Sequence, residues 1–180
     1  MAKNYVKLEG QFTADTRKIV NDNIPDISRC STQFLVDSGS TGTTLTNVTG
    51  LLSDTLQPGI YLVDINLITT ATTNSGVKAA LKWGTASMIT NTALSVVATS
   101  ASAVASTTFT TSTDASAFVG ATSAYVNVRV TGTVTIALAG TIQLQAAQNA
   151  SHADDTTVEV GSTMRFTPIG ATVPLISAVI

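Results

Sequence analysis

SAYVNVRVTGTVTIALAG, residues 123–140, decides the fold. Val126, Val128, Val130, Val134, Ile136 and Leu138 share one parity, and Gly132 occupies the missing beat. A period of two sends successive side chains to opposite faces of a sheet, so the run predicts one long strand with an apolar face. Glycine inside a strand commonly marks a bend or bulge, which is expected at Gly132. A turn over Leu138 to Gly140 follows, after which TIQLQAAQ is expected to pair back. There Ile142, Leu144 and Ala146 face the core, while Thr141, Gln143 and Gln145 form an opposite face of hydroxyl and amide with no charge.

Outward from this run the pattern repeats in shorter pieces. QFLVD (Gln33 to Asp37) and TTLTNV (Thr43 to Val48) are strand candidates separated by the turn-rich SGSTG. LQPGIYLVDINLITT sets a Pro58-Gly59 turn before a strand in which Ile60, Leu62 and further apolar residues lie among Asp64 and Asn66. GVKAALKW alternates Val77, Ala79 and Leu81 against Lys78, Ala80 and Lys82, one buried and one wet face. The Ser/Thr/Ala-rich stretch from Thr85 to Phe118, anchored by Met88, Ile89, Leu94, Val96, Val97, Val104 and Phe109, predicts two strands and long loops. TTVEV, a Gly161-Ser162 turn and TMRFTPI complete the sheet. About eight to ten strands with short turns predict an all-β antiparallel β-sandwich or jelly roll over residues 31–170.

Charge is distributed unevenly. Residues 1–30 hold nine of the twenty charged side chains, leaving eleven for the other 150 residues. A typical soluble domain is ~25% charged. Residues 1–30 therefore read as an N-terminal arm, punctuated by Pro25, and the remainder as a domain with a neutral or covered surface. The arm carries Tyr5, Lys7, Phe12, Arg17 and Lys18, an aromatic and basic set suited to docking, together with more aliphatic residues than a disordered tail commonly has. Residues 171–180, GATVPLISAVI without its first glycine, form an apolar tail whose Leu175, Ile176, Val179 and Ile180 call for a packing partner.

The net charge of −2 creates no long-range field favouring nucleic acid. No apolar run reaches the ~18 residues of a membrane span, and the charged N-terminus lacks the apolar core of a secretory signal, so neither a membrane partner nor secretion by that route is expected. Cys30 is the sole cysteine, which rules out an intrachain disulfide and a Cys/His metal cluster.

Candidate chemistry is sparse. His152 stands beside Asp154 and Asp155 in NASHADDTT, but a metal would need further ligands from elsewhere, and a turn is the expected reading. DSGSTG, residues 37–42, resembles the Asp-Ser/Thr-Gly motif of aspartic proteases, yet the second carboxylate of such a dyad has no matching motif. No GxSxG elbow or phosphate-binding glycine loop is present. An enzyme is not expected, nor a cofactor, a metal or a set of catalytic residues.

TTLTNVTGLLSDTLQPGIYLVDINL, AYVNVRVTGTVTIALAGTIQLQAAQN and TTVEVGSTMRFTPI, in that order, resemble a family of bacteriophage virion proteins. Their domain is similar to the jelly roll of tumour necrosis factor and the complement globular head. The likeness rests on Leu56, Pro58-Gly59 and Tyr61, Gly132 and Gly140, Leu144 with Ala147-Gln148-Asn149, and Gly161-Ser162 before Met164. It implies a homotrimer, found as head decoration (cement) proteins or in tail fibres and spikes. The chain's low charge agrees, since interface cores are depleted in charge and cyclic assemblies cover sheet surfaces. The expectation is a trimeric decoration protein of the virion, made in the host cytoplasm and seated on the outer capsid. Its arm, through Tyr5, Lys7, Phe12, Arg17 and Lys18, meets the major capsid protein, and its trimer contact lies at Thr141, Gln143 and Gln145. The alternative is a tail-fibre or spike head that binds the host surface, with the Ser/Thr-rich loops as the adhesive part.

Overall fold

The computed structural model describes residues 25–37, 43–71, 76–85, 87–99, 104–109, 118–119 and 126–170. Among these every element is a strand and every pairing is antiparallel. The strands are β1 (Asp26–Arg29), β2 (Phe34–Asp37), β3 (Thr46–Leu52), β4 (Gly59–Thr70), β5 (Val77–Trp83), β6 (Ile89–Thr99), β7 (Val104–Phe109), β8 (Phe118–Val119), β9 (Val126–Ile136), β10 (Ile142–Gln148), β11 (Thr156–Val158) and β12 (Thr163–Gly170). The larger sheet runs β1-β12-β4-β9-β6-β7, with β11 joining β2 to β4, and the smaller runs β3-β10-β5-β8. The buried faces of both sheets contribute to one core, an arrangement consistent with a β-sandwich.

The long alternating run becomes β9, the centre of the larger sheet, paired to β4 on one side and β6 on the other. Val128, Val130, Val134 and Ile136 are buried as their parity predicts. Gly132 is not a bulge. Both ladders pass through it without a register shift, at Val63 and Leu94. Its φ is +148°, and a Cβ there would lie 2.0 Å from the Ala93 carbonyl oxygen and 2.9 Å from Leu94 Cα. The glycine permits close approach of the β6 backbone.

Several expectations shift once strands are assigned to sheets. TIQLQAAQ does not pair back on β9; β10 lies in the other sheet between β3 and β5. The chain crosses sheets at residues 137–141, held by paired backbone bonds between Leu56 and Gly140 of 2.8 and 3.1 Å. Leu138 consequently leaves the core parity and is exposed. On β4 the inward set is Tyr61, Val63, Ile65, Leu67 and Thr69, so Ile60 and Leu62 point outward. Ala80 is buried although it shares the outward parity of Lys78 and Lys82.

The structure has twelve strands among the described residues where about eight to ten were expected, because short edge strands such as DISR and FV carry too few beats to read. The boundary at residue 30 also moves. Asp26 to Arg29 pair with β12, from Asp26 opposite Phe166 to Arg29 opposite Thr163, so the domain begins inside the segment assigned to the arm. Cys30 follows as a fully buried core residue, its backbone N–H donating to Ser162 O over 2.9 Å. Residues 1–24 and 171–180, with the arm residues and the apolar tail, lie outside the described residues.

Gly132→Ala is expected to cost about 3 kcal/mol or more, since both the positive φ and the Ala93 carbonyl oppose a side chain. Gly84→Ala, with nothing within 4 Å of the added carbon, should stay within about 0.5 kcal/mol of the parent, both variants being read by urea unfolding.

Candidate interaction surface

The glutamine face of β10 has an intrachain explanation. Gln143 stands opposite Leu52 on β3 and Gln145 opposite Asn47, so Val48 to Leu51 together face Leu144. Gly50, with φ +84°, turns the backbone inside this bulge, and a Cβ there would sit 2.7 Å from the Arg29 carbonyl oxygen. Carbonyls in a bulge lose their ladder partners and need others. The Gln143 amide supplies them, the two N–H groups of its Nε2 shared among Val48 O at 2.9 Å, Leu51 O at 3.0 Å and Leu144 O at 2.8 Å. Ser53 completes the margin, its Oγ accepting the Ile142 N–H at 2.8 Å. Gln145 makes a lighter contact, Nε2 to Asn47 Oδ1 at 2.8 Å, and Thr141 is half-buried beside the strand.

Glu159, which the sequence reading left aside, gathers three elements. Its Oε1 accepts from Thr157 Oγ at 2.7 Å, Thr70 Oγ at 2.8 Å and Gln33 Nε2 at 2.9 Å, and Oε2 lies 3.1 Å from the same Gln33 nitrogen. Its backbone N–H donates to Ile68 O at 2.8 Å. The Thr157 hydroxyl, aided by Gln33 and Thr70, holds the carboxyl below its ordinary pKa against a smaller opposing effect of desolvation. Burial pushes the Cys30 thiol upward, a backbone hydrogen bond at Thr32 partly offsets this, and the Glu159 charge adds to the rise. A buried, protonated thiol is inert.

The outward face of the larger sheet brings exposed aliphatic side chains together with arginines. Cross-strand rows follow from register: Ile27, Arg165, Asp64, Thr131 and Ser95 form one, and Arg29, Thr163, Asn66, Arg129 and Val97 the next. Thr167, Leu62, Thr133 and Ala93 form a third. Ile27, Leu62 and Val97 on this face are 58%, 42% and 38% exposed. At the centre Asp64 receives two guanidinium groups, Arg165 Nη2 at 3.0 Å from Oδ2 and Arg129 Nη2 at 3.6 Å from Oδ1. The three arginines of the described residues lie here, while Lys78 and Lys82 occupy the outward parity of β5 in the smaller sheet.

His152 and its neighbours form the loop between β10 and β11. His152 Nδ1 lies 3.0 Å from Asp154 Oδ2, and the buried Gln148 side chain ties the loop down by accepting from His152 N and donating to Asp154 O. Among the described residues no group of three or more His, Cys, Asp or Glu side chains is placed to hold a metal. The chain matches no family model and no curated protein. Of the residues expected to carry function, Gln143 and Gln145 thus sit on the smaller sheet and bond to β3, Thr141 immediately precedes β10, and Tyr5, Lys7, Phe12, Arg17 and Lys18 lie outside the described residues, as do 38–42 of the DSGSTG segment.

The sequence did contain a signal for the arginine face. Asp64 lies between Val63 and Ile65, Arg129 between Val128 and Val130, and Arg165 between Met164 and Phe166, each flanked by two buried residues and so turned outward. Only the strand order could add that these three meet.

Gln143→Ala should destabilise the domain by about 2 kcal/mol by stranding the β3 carbonyls, and Gln145→Ala by under about 0.5 kcal/mol, as read by urea unfolding. Because the Glu159 pKa is lower folded than unfolded, its stabilisation is complete above the ordinary glutamate value of ~4.3 and fades as the pH falls through the lowered value. Thermal melts of Glu159→Gln should therefore show a shallower loss of stability in acid than the parent; equal slopes would remove Glu159 from that account.

Proposed function

We propose that this chain is a structural virion protein, a homotrimeric phage head decoration (cement) protein with a jelly-roll domain that binds the outer capsid surface. Strand order carries the reading. If β1, β3, β4, β5, β8, β9, β10 and β12 are counted from one to eight, the two sheets run 1-8-3-6 and 2-7-4-5. That interleaving supports a jelly-roll reading, a fold common in viral capsid proteins, with the β6–β7 hairpin on the edge of the larger sheet beyond β9. The residue likeness to phage virion proteins supports the same role, and fold alone leaves many functions open.

In this reading residues 1–24 dock on neighbouring copies of the major capsid protein, and three arms acting together raise avidity by ~10²–10⁴ over one. Since the domain begins at β1, removal of residues 2–24 is the clean test. The truncated chain should keep the trimeric mass of the full chain while its co-sedimentation with capsids falls at least about 100-fold. Undiminished capsid binding by the truncated chain, or recovery of the full chain with tails in place of heads, would overturn the proposal, and the second result would point to the tail-fibre head.

A further inference from the structure

The outward face of the larger sheet joins exposed aliphatic residues to a charge centre with donors to spare. Arg129 and Arg165 are 64% and 44% exposed in their side chains and share the single carboxylate of Asp64, itself 29% exposed. Each guanidinium presents five N–H donors, so two of them far exceed what two carboxylate oxygens accept. Arginine with aliphatic and threonine neighbours, and without lysine, is the composition of a protein contact. A partner that fits must bring carboxylates.

The chain itself offers them. Glu159 directly follows β11 but is committed to Gln33, Thr70 and Thr157. Asp154 and Asp155 stand together on the β10–β11 loop; Asp155 is exposed, and the Asp154 side chain is 43% exposed with a single side-chain contact, His152 Nδ1 at 3.0 Å from Oδ2. We infer that the outward face of the larger sheet, centred on Leu62, Arg129 and Arg165, is the self-assembly surface and receives the Asp154-Asp155 loop of a second copy. This deepens the trimer reading above and rests on it. The two surfaces differ, so the contact is heterologous, the kind that closes into a ring when the rotation per copy allows. An isologous pairing of the same face would instead bring arginine against arginine. The inference also moves the trimer contact away from Thr141, Gln143 and Gln145, whose sheet has its amides bonded to β3.

Sedimentation velocity on the purified full chain tests this without capsids. The parent should run as a trimer, and Arg129→Glu with Arg165→Glu should weaken self-association at least about 100-fold. Adding Asp154→Arg and Asp155→Arg to that same chain should restore the trimer by exchanging the two charges. Leu62→Glu, which leaves the ion pairs in place, should also dissociate it, and circular dichroism checks that each variant folds. A monomeric parent at about 100 µM, an unchanged mass for the folded Arg129/Arg165 or Leu62 variants, or no restoration in the folded four-site variant would each overturn the inference. Failure of the parent trimer to bind capsids would instead sink the virion reading and leave this interface standing.

Discussion

The Gln143 amide closes the place where the smaller sheet is least regular, and much of the surrounding structure depends on that closure. Four residues of β3 face one of β10, so ordinary ladder bonding fails between Asn47 and Leu52. A buried carbonyl without a donor costs as much as a lost hydrogen bond. Charged groups would meet the need only with a larger desolvation cost. Neutral side chains therefore take the role throughout: Gln143 in the bulge, Ser53 on Ile142, Ser28 donating to Leu52 O across the two sheets, and Ser162 accepting the Ile68 N–H. This accounts for amides and hydroxyls where a surface strand would carry charge, before any partner is considered.

Period-two patterning made the strand interiors legible. Val128, Val130, Val134 and Ile136 on β9 and Ile142, Leu144 and Ala146 on β10 occupy the core positions their parity assigns, whereas on β4 the inward parity is that of Tyr61, Val63 and Ile65, not of Ile60 and Leu62. Sheet membership was not legible, because the same alternation suits a strand in either layer, and β10 was placed beside β9 for lack of any local sign of the crossing at residues 137–141. Gly132 misled for a related reason. A strand glycine marks either a bulge or a near backbone, and only the position of Ala93 and Leu94 distinguishes the two. Glu159 was invisible because its partners Gln33 and Thr70 are 126 and 89 residues away.

The two sheets divide the chemistry of the surface. The smaller sheet spends its outward amides on its own edge strand, whereas the larger sheet carries aliphatic groups and arginines whose donors exceed their internal acceptors. The low charge of β10 thus follows from internal bonding, while the larger sheet gathers Arg129, Arg165 and Asp64 on its outward face. Parity can place Arg129 and Arg165 outward, but their meeting at Asp64 is a property of β12, β4 and β9 standing side by side.

The pairing of β1 with β12 has a consequence for engineering. Because the strands are antiparallel, with Asp26 opposite Phe166, the chain enters β1 and leaves β12 at the same end of the larger sheet. Phe166 and Gly170 are four strand positions apart, a span of roughly 13 Å. A short glycine-serine linker would bridge it, so the domain lends itself to circular permutation, with new ends opened in a loop elsewhere. The same geometry lets a cargo fused at either end project from one side of the domain, away from the opposite end where the Asp154-Asp155 loop joins β10 to β11.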